Sequence, residues 1–225
     1  MEAGLYIIPT PLGNLEDITI RAIRYLKEVD MLFAEDTRTT RVLLQHLGID
    51  RKAMSHHQHN EHQSAPEIVR LIAQGQSVGL VSDAGTPGIS DPGFLLVREA
   101  LKAGLHVECL PGPTAFVPAL LISGMPCDKF HFEGFLPIKK GRQTRLQKLS
   151  QIPHTVVLYE SPHRIIKTLE QIIEFFGEER SISVSRELTK LHEQTIRGCA
   201  TEVLVHFKAH EPRGEMVIII KGIDD

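Results

Sequence analysis

The sequence predicts an α/β protein of two domains, the first built on a mainly parallel sheet and the second on a mixed one. Three observations predict it. Short apolar runs alternate with amphipathic stretches through the first half of the chain. Turns rich in Gly and Pro stand where those runs end. From Gly124 the texture changes, and strands begin to follow one another without a helix between them.

Taken in order, the first half reads as a strand over 5–8, a helix over 17–28, a strand over 31–34 and a helix after Thr37. It continues with a helix over 65–73, a strand over 78–81, a helix over 92–103, a strand over 106–110 and a helix opening at Pro113. Strands separated by helices of that length imply right-handed crossovers and parallel pairing. The domain boundary falls at Gly124, before the aromatic run Phe130, Phe132, Phe135 and the stretch LPIKKGRQTR, which gives domains of 1–123 and 124–225. The second half reads as a strand over 155–159, a helix over 162–176, strands over 181–185 and 194–197, a helix over 202–207 and a strand over 216–220. Two adjacent strands before the last helix make that sheet mixed.

At 225 residues and 42% apolar content the chain can bury a large core without disulfides. Its net charge of −3 excludes a globally basic nucleic-acid surface, so any RNA contact must be a local patch. Cys109, Cys127 and Cys199 form no CxxC pair, which points to a reducing compartment. The N-terminus lacks the basic and apolar regions of a signal peptide, and no window approaches a membrane span, so cytoplasmic residence is expected.

Three turns at strand ends carry the first functional signal. PTPLGN (9–14) follows the opening strand, SDAGTPGISDPG (82–93) follows the strand over 78–81, and PGPTA (111–115) follows the strand over 106–110. Any one of them is readable as an ordinary βα turn, with Gly supplying positive φ and Pro opening a helix. Three on one sheet point instead to a ligand crevice, because open α/β sheets bind ligands outside the carboxyl ends of their strands. None is GxGxxG, so a dinucleotide fold is not supported.

Charged clusters give the second signal. In EDTRTTR (35–41) Asp36 is placed to cap the following helix, and Arg38 and Arg41 are suited to phosphate binding at the crevice mouth. HHQHNEH (56–62) lacks the companion segment and spacing of a zinc site, so no metal is expected; it reads as a substrate-facing loop with His59 or Glu61 near the acceptor. KKGRQTR (139–145) is an ordinary solvated run on charge alone. In an acidic chain its Lys139, Lys140, Arg142 and Arg145 are nevertheless the best candidates for RNA phosphates. SPHR (161–164) places His163 and Arg164 after a helix-opening proline.

Together the words YIIPTPLGNLEDIT, FAEDTRTTRVLL, HNE, LVSDAGTPGISDPG, PGPTA, GFLP, YESPHR, SRELTKLHE and GEMVIIIKG resemble the tetrapyrrole methylase superfamily. They are closest to its ribosomal RNA branch, the 16S rRNA (cytidine 2′-O)-methyltransferases. The resemblance implies two α/β domains with S-adenosylmethionine in the cleft between them, and a homodimer. It implies that Pro11 and Leu12 line the donor site, that Asp83 and Thr86 face the ribose and methionine portions, and that Thr114 and Ala115 form the third turn. From the second domain it implies that Glu160, Leu188 and Glu215 close over the adenine and its sugar. Many members of the branch carry a further C-terminal extension, whereas this sequence ends at Asp225, a departure that touches the RNA-docking mode more than the donor site.

The implied reaction is attack of a ribose 2′-hydroxyl on a sulfonium methyl group. Asp36, Glu61 and His163 are its candidate proton acceptors. Two other functions compete. One is a precorrin-type methylase, against which SDAGTPG departs from the GDP-type turn of those enzymes; the other is a non-catalytic module that only binds S-adenosylmethionine.

Overall fold

The computed structural model describes residues 1–223, which divide into two compact units, one up to Thr114 and one from Ala115 onward. In the first unit β1 (Gly4–Ile7) leads through a 3₁₀ turn to α1 (Ile20–Glu28), which Thr19 caps by accepting from the Ala22 N–H. β2 (Met31–Ala34), α2 (Thr37–His46), a two-residue β3 (Met54–Ser55) and α3 (Glu61–Ala73) follow. The unit ends with β4 (Ser77–Val81), α4 (Phe94–Lys102) and β5 (Val107–Cys109).

The five strands pair in the order β3-β2-β4-β1-β5, every pair parallel. Alternation along the strands sorts the core into two faces. Leu5, Ile7, Val78 and Leu80 face α3 and α4 through Ile68, Ile72 and Leu96. Tyr6, Ile8, Leu32 and Val81 face α1 and α2 through Leu26 and Leu44. Helices therefore cover both sides of the sheet, and its carboxyl edge is left to the loops.

The second unit begins with α5 (Phe116–Ser123), β6 (Phe130–Phe135), α6 (Arg142–Leu149), β7 (Thr155–Glu160) and α7 (Ile165–Phe176). It continues with β8 (Ser181–Arg186), β9 (Gln194–Cys199), α8 (Ala200–Ala209) and β10 (Met216–Ile220). The strand order is β6-β7-β10-β8-β9, with β6 and β7 parallel and the other pairs antiparallel, so the sheet is mixed. One face carries Val156, Leu158, Ile218 and Val184 against α6, α7 and α8; the other carries Val157, Val217 and Ile219 against α5.

Two expectations shift. The boundary drawn at Gly124 leaves α5 with the first domain, whereas Ala119 and Leu120 of α5 are buried against Val157, Val217 and Ile219 of the second sheet. The stretch 139–145, read as a loop, runs into α6, whose Leu146 and Leu149 sit in that sheet's core. Among the described residues no helix is long and apolar enough to cross a membrane.

At the amino end of the first sheet, Asp30 accepts from the Ser77 hydroxyl at 2.6 Å and the Ser77 N–H at 2.8 Å. Those two hydrogen bonds hold the Asp30 carboxyl below its ordinary pKa. Because Ser77 is fully buried, Asp30→Ala leaves its donors unpaired and is expected to cost about 1–3 kcal/mol in urea unfolding. The wild-type advantage should be complete above the ordinary aspartate range and disappear as pH falls through the depressed native value.

Candidate functional site

The three sequence-predicted turns of the first unit are joined to one another. Thr10 and Gly85 form an isolated antiparallel bridge, with Thr10 N–H to Gly85 O at 2.9 Å and Gly85 N–H to Thr10 O at 3.0 Å. The Thr10 hydroxyl also donates to Ser82 O. Thr86 Oγ1 donates to Pro113 O at 2.9 Å and lies 2.8 Å from the Thr114 hydroxyl, which ties the second turn to the third. The third turn rests on the first, since a Cβ built on Gly112 would stand 2.5 Å from Cβ of Pro9. Gly85, at φ +81°, lets its backbone bend beside the Leu12 side chain.

Carboxylates line the neighbouring strand ends. Asp83 accepts from the Asp36 N–H at 3.0 Å, and the Asp83 N–H points to Glu35 Oε2. Lost hydration raises the Asp83 pKa, the nearby Asp36 charge raises it further, and the Asp36 N–H and Arg38 pull against both. Asp36 caps α2 at Arg38 N–H and binds the Arg38 guanidinium, so its own pKa falls to about 2. Arg38 and Arg41 are exposed on the first turns of α2.

The His-rich stretch divides by role. His56 is buried, its Nδ1 2.8 Å from the Ser64 hydroxyl, and burial lowers its pKa toward the neutral ring. Gln58 and His59 are exposed, and Glu61 opens α3. Among the described residues no group of three or more His, Cys, Asp or Glu could hold a metal ion.

In the second unit two residues expected at the donor site and at RNA are buried. Glu160 is 1% exposed. It shares the β7 face of Val156 and Leu158, so its carboxylate points into the core under α6 and α7. There it meets Arg164 at 2.7 Å, Arg142 at 3.6 Å, the Thr168 hydroxyl at 2.6 Å and the Ser161 N–H at 2.8 Å. All of these partners belong to the second unit's own fold. Arg142 is likewise buried, donating to Gln171, Thr168 and Pro137 O. Desolvation lowers its pKa while Glu160 raises it. Lys139, Lys140 and Arg145 remain exposed around this anchor.

Leu188 is buried against Val217 and Ile219, inserted there by a loop whose Glu187 and Thr189 adopt positive φ. What it can offer a ligand is its backbone. Glu215 is exposed, and its carbonyl accepts from the Glu187 N–H. His163 is exposed in the turn before α7. The buried network escaped the sequence reading because its members come from three elements; the spacing of Arg142, Leu146 and Leu149 was the available sign that 142–149 is an amphipathic helix.

A family model, Tetrapyrrole (Corrin/Porphyrin) Methylases, matches residues 4–204, and the chain belongs to that family. Within it the chain is 48% identical over 219 residues to Ribosomal RNA small subunit methyltransferase I of Synechocystis, covering 97% of this chain and 78% of that protein. The protein of the same name from Thermotoga maritima is 44% identical over 218 residues, with 97% and 98% covered. Among solved structures, diphthine synthase superposes with TM-score 0.77 at 12% identity, covering 97% of this chain and 89% of that one. Uroporphyrin-III-C-methyltransferase from Thermus thermophilus gives 0.67 at 18%, covering 96% and 94%. At those identities the two structures attest the fold alone.

Glu160 is the one carboxylate between two guanidiniums, so Glu160→Ala leaves the buried Arg142 uncompensated and is expected to cost about 3–5 kcal/mol in chemical unfolding. Arg145→Ala, which breaks a pair between a half-exposed guanidinium and the mostly buried Glu133, should cost less, because Glu133 keeps His131 as a partner.

Proposed function

We propose that this protein is an S-adenosylmethionine-dependent methyltransferase that methylates the ribose 2′-hydroxyl of a cytidine in small-subunit (16S) ribosomal RNA. The observation that carries the reading is the joined set of turns at the carboxyl edge of a parallel sheet. It occurs in a chain 44% to 49% identical to proteins named Ribosomal RNA small subunit methyltransferase I.

The turns suit the donor chemically. Asp83 presents a carboxylate for a ribose hydroxyl or an ammonium, and Thr86 and Thr114 present hydroxyls. Pro11, Leu12 and Ala115 supply close backbone, and Gly112 allows the first and third turns to approach. Backbone at Leu188 and the Glu215 side chain are proposed as further donor contacts, each read by its own variant. When bound, the donor supplies an electrophilic methyl group on a sulfonium. The protein's share is to hold the 2′-hydroxyl in line and to keep competing water away, which accounts for most of the rate in such a reaction. Asp36 is a poor proton acceptor at a pKa of about 2. Glu61 and His163 remain the candidate proton acceptors, with solvent as the alternative. Lys139, Lys140, Arg145, Arg38 and Arg41 would meet RNA phosphates.

Homodimerisation and residence in the cytoplasm belong to the same proposal. Three free cysteines, two of them exposed, support a reducing compartment, and sedimentation at working concentration reads the oligomer.

Labelled S-adenosylmethionine should transfer its methyl group to small ribosomal subunits that lack the modification, and mass spectrometry of the RNA should place it on a ribose. Transfer to uroporphyrinogen with none to RNA, or donor binding with no transfer at all, would overturn the proposal. Thr86→Val should weaken donor binding by about tenfold, since it unpairs Pro113 O and the Thr114 hydroxyl. Replacing Lys139 and Lys140 by Ala should flatten the salt dependence of RNA binding by about 1.5 units of log–log slope, with donor affinity unchanged.

A further inference from the structure

A second recess lies in the first unit, between the exposed part of the His-rich stretch and the second half of the long glycine-rich turn. It encloses about 250 Å³ and is lined by Gln58, Glu61, Ser90, Asp91 and Phe94, among others. That volume falls below the roughly 300–1,000 Å³ of pockets for drug-sized ligands and suits a single ring. Phe94, the first residue of α4, is 70% exposed, and the Arg98 guanidinium stands 5.7 Å from its ring centroid. A solvated aromatic ring beside a cation, at the mouth of a polar recess, is the arrangement on which unpaired nucleobases stack.

We propose that this recess holds the target nucleobase, a cytosine turned out of its stack, with Phe94 as the stacking surface and Glu61 as the group that reads its exocyclic amine. The inference rests on the RNA reading above and names what selects the nucleotide. Cytosine presents an amino donor beside two acceptors on its pairing edge. A carboxylate accepts from that amine, and the Gln58 amide can donate to the neighbouring acceptors. Uracil presents a carbonyl oxygen where cytosine has the amine, and a carboxylate repels it, so Glu61 discriminates by repulsion as well as attraction. The shape of the recess follows from its turn: Gly88, Ser90 and Gly93 all take positive φ, which folds 88–93 back toward the start of α4.

The test uses the full-length protein, S-adenosylmethionine, and small subunits reconstituted with either C or U at the methylated position. Phe94→Ala should lower kcat/KM on the natural subunit by roughly ten- to a hundredfold through loss of stacking, while Phe94→Tyr should restore it. Glu61→Gln should narrow the preference for C over U by about tenfold or more, because an amide can turn its donor toward the uracil oxygen. Donor affinity should stay at the wild-type value in all three variants. If the wild-type protein methylates subunits and both Phe94→Ala and Glu61→Gln keep its kcat/KM and base preference, this inference is overturned and the proposed function stands. If the wild-type protein methylates no RNA, the proposed function falls and takes the recess with it.

Discussion

The two backbone hydrogen bonds between Thr10 and Gly85 hold together loops that follow two adjacent parallel strands, β1 and β4. Parallel strands deliver their chains to the same edge of a sheet, but nothing in the sheet itself makes the emerging loops meet. Here a short piece of antiparallel pairing continues the sheet beyond its strands. Once Gly85 is fixed, Thr86 lies where its hydroxyl can join the third turn at Pro113 and Thr114. The requirement then propagates into the sequence. Gly85 must bend through positive φ, Gly112 must be bare against Pro9, and the loop residues between are free to carry chemistry.

The second unit solves a different problem, which is how an ordered basic segment can arise in an acidic chain. Arg142 leaves its run of cations and is buried, and Glu160 meets it from the sheet because strand alternation turns 156, 158 and 160 toward the same helices. Arg164 is the closer ion-pair partner of Glu160, and Thr168 adds a hydrogen bond. Burying these ions costs hydration, and the pairing offsets that cost only while every member stays in place. Such a network favours one arrangement of α6 and α7 over others. It thereby sets where Lys139, Lys140 and Arg145 emerge.

Much of this was legible in the sequence, for reasons particular residues make plain. The strands at 31–34 and 216–220 were readable to the residue because short apolar runs there are bounded by polar neighbours. The three turns were legible because glycine and proline carry their geometry with them. The α5 segment was misplaced because it is apolar on all sides, so its pattern does not say which sheet it covers. Burial of Arg142 and Glu160 was invisible for the opposite reason. Each looks like a surface charge until the register of β7 and the turn of α6 bring them together, and neither residue's neighbours in sequence report on that meeting.

Charge is distributed in a way that fits a cationic cofactor and an anionic substrate on one chain. Glu35, Asp36 and Asp83 gather at the ends of β2 and β4, where a sulfonium would find compensation and a phosphate would not. Arg38 is held on Asp36 by a 2.6 Å ion pair, so the acidic edge ends in an exposed cation on the first turn of α2. Arg38 and Arg41 are exposed on the first turns of α2, and the Asp36 pairing holds the Arg38 guanidinium in place while offsetting part of its charge. On the proposed reading, a net charge of −3 is no obstacle to RNA binding, because phosphate contacts need only a local group of exposed cations such as Lys139, Lys140 and Arg145.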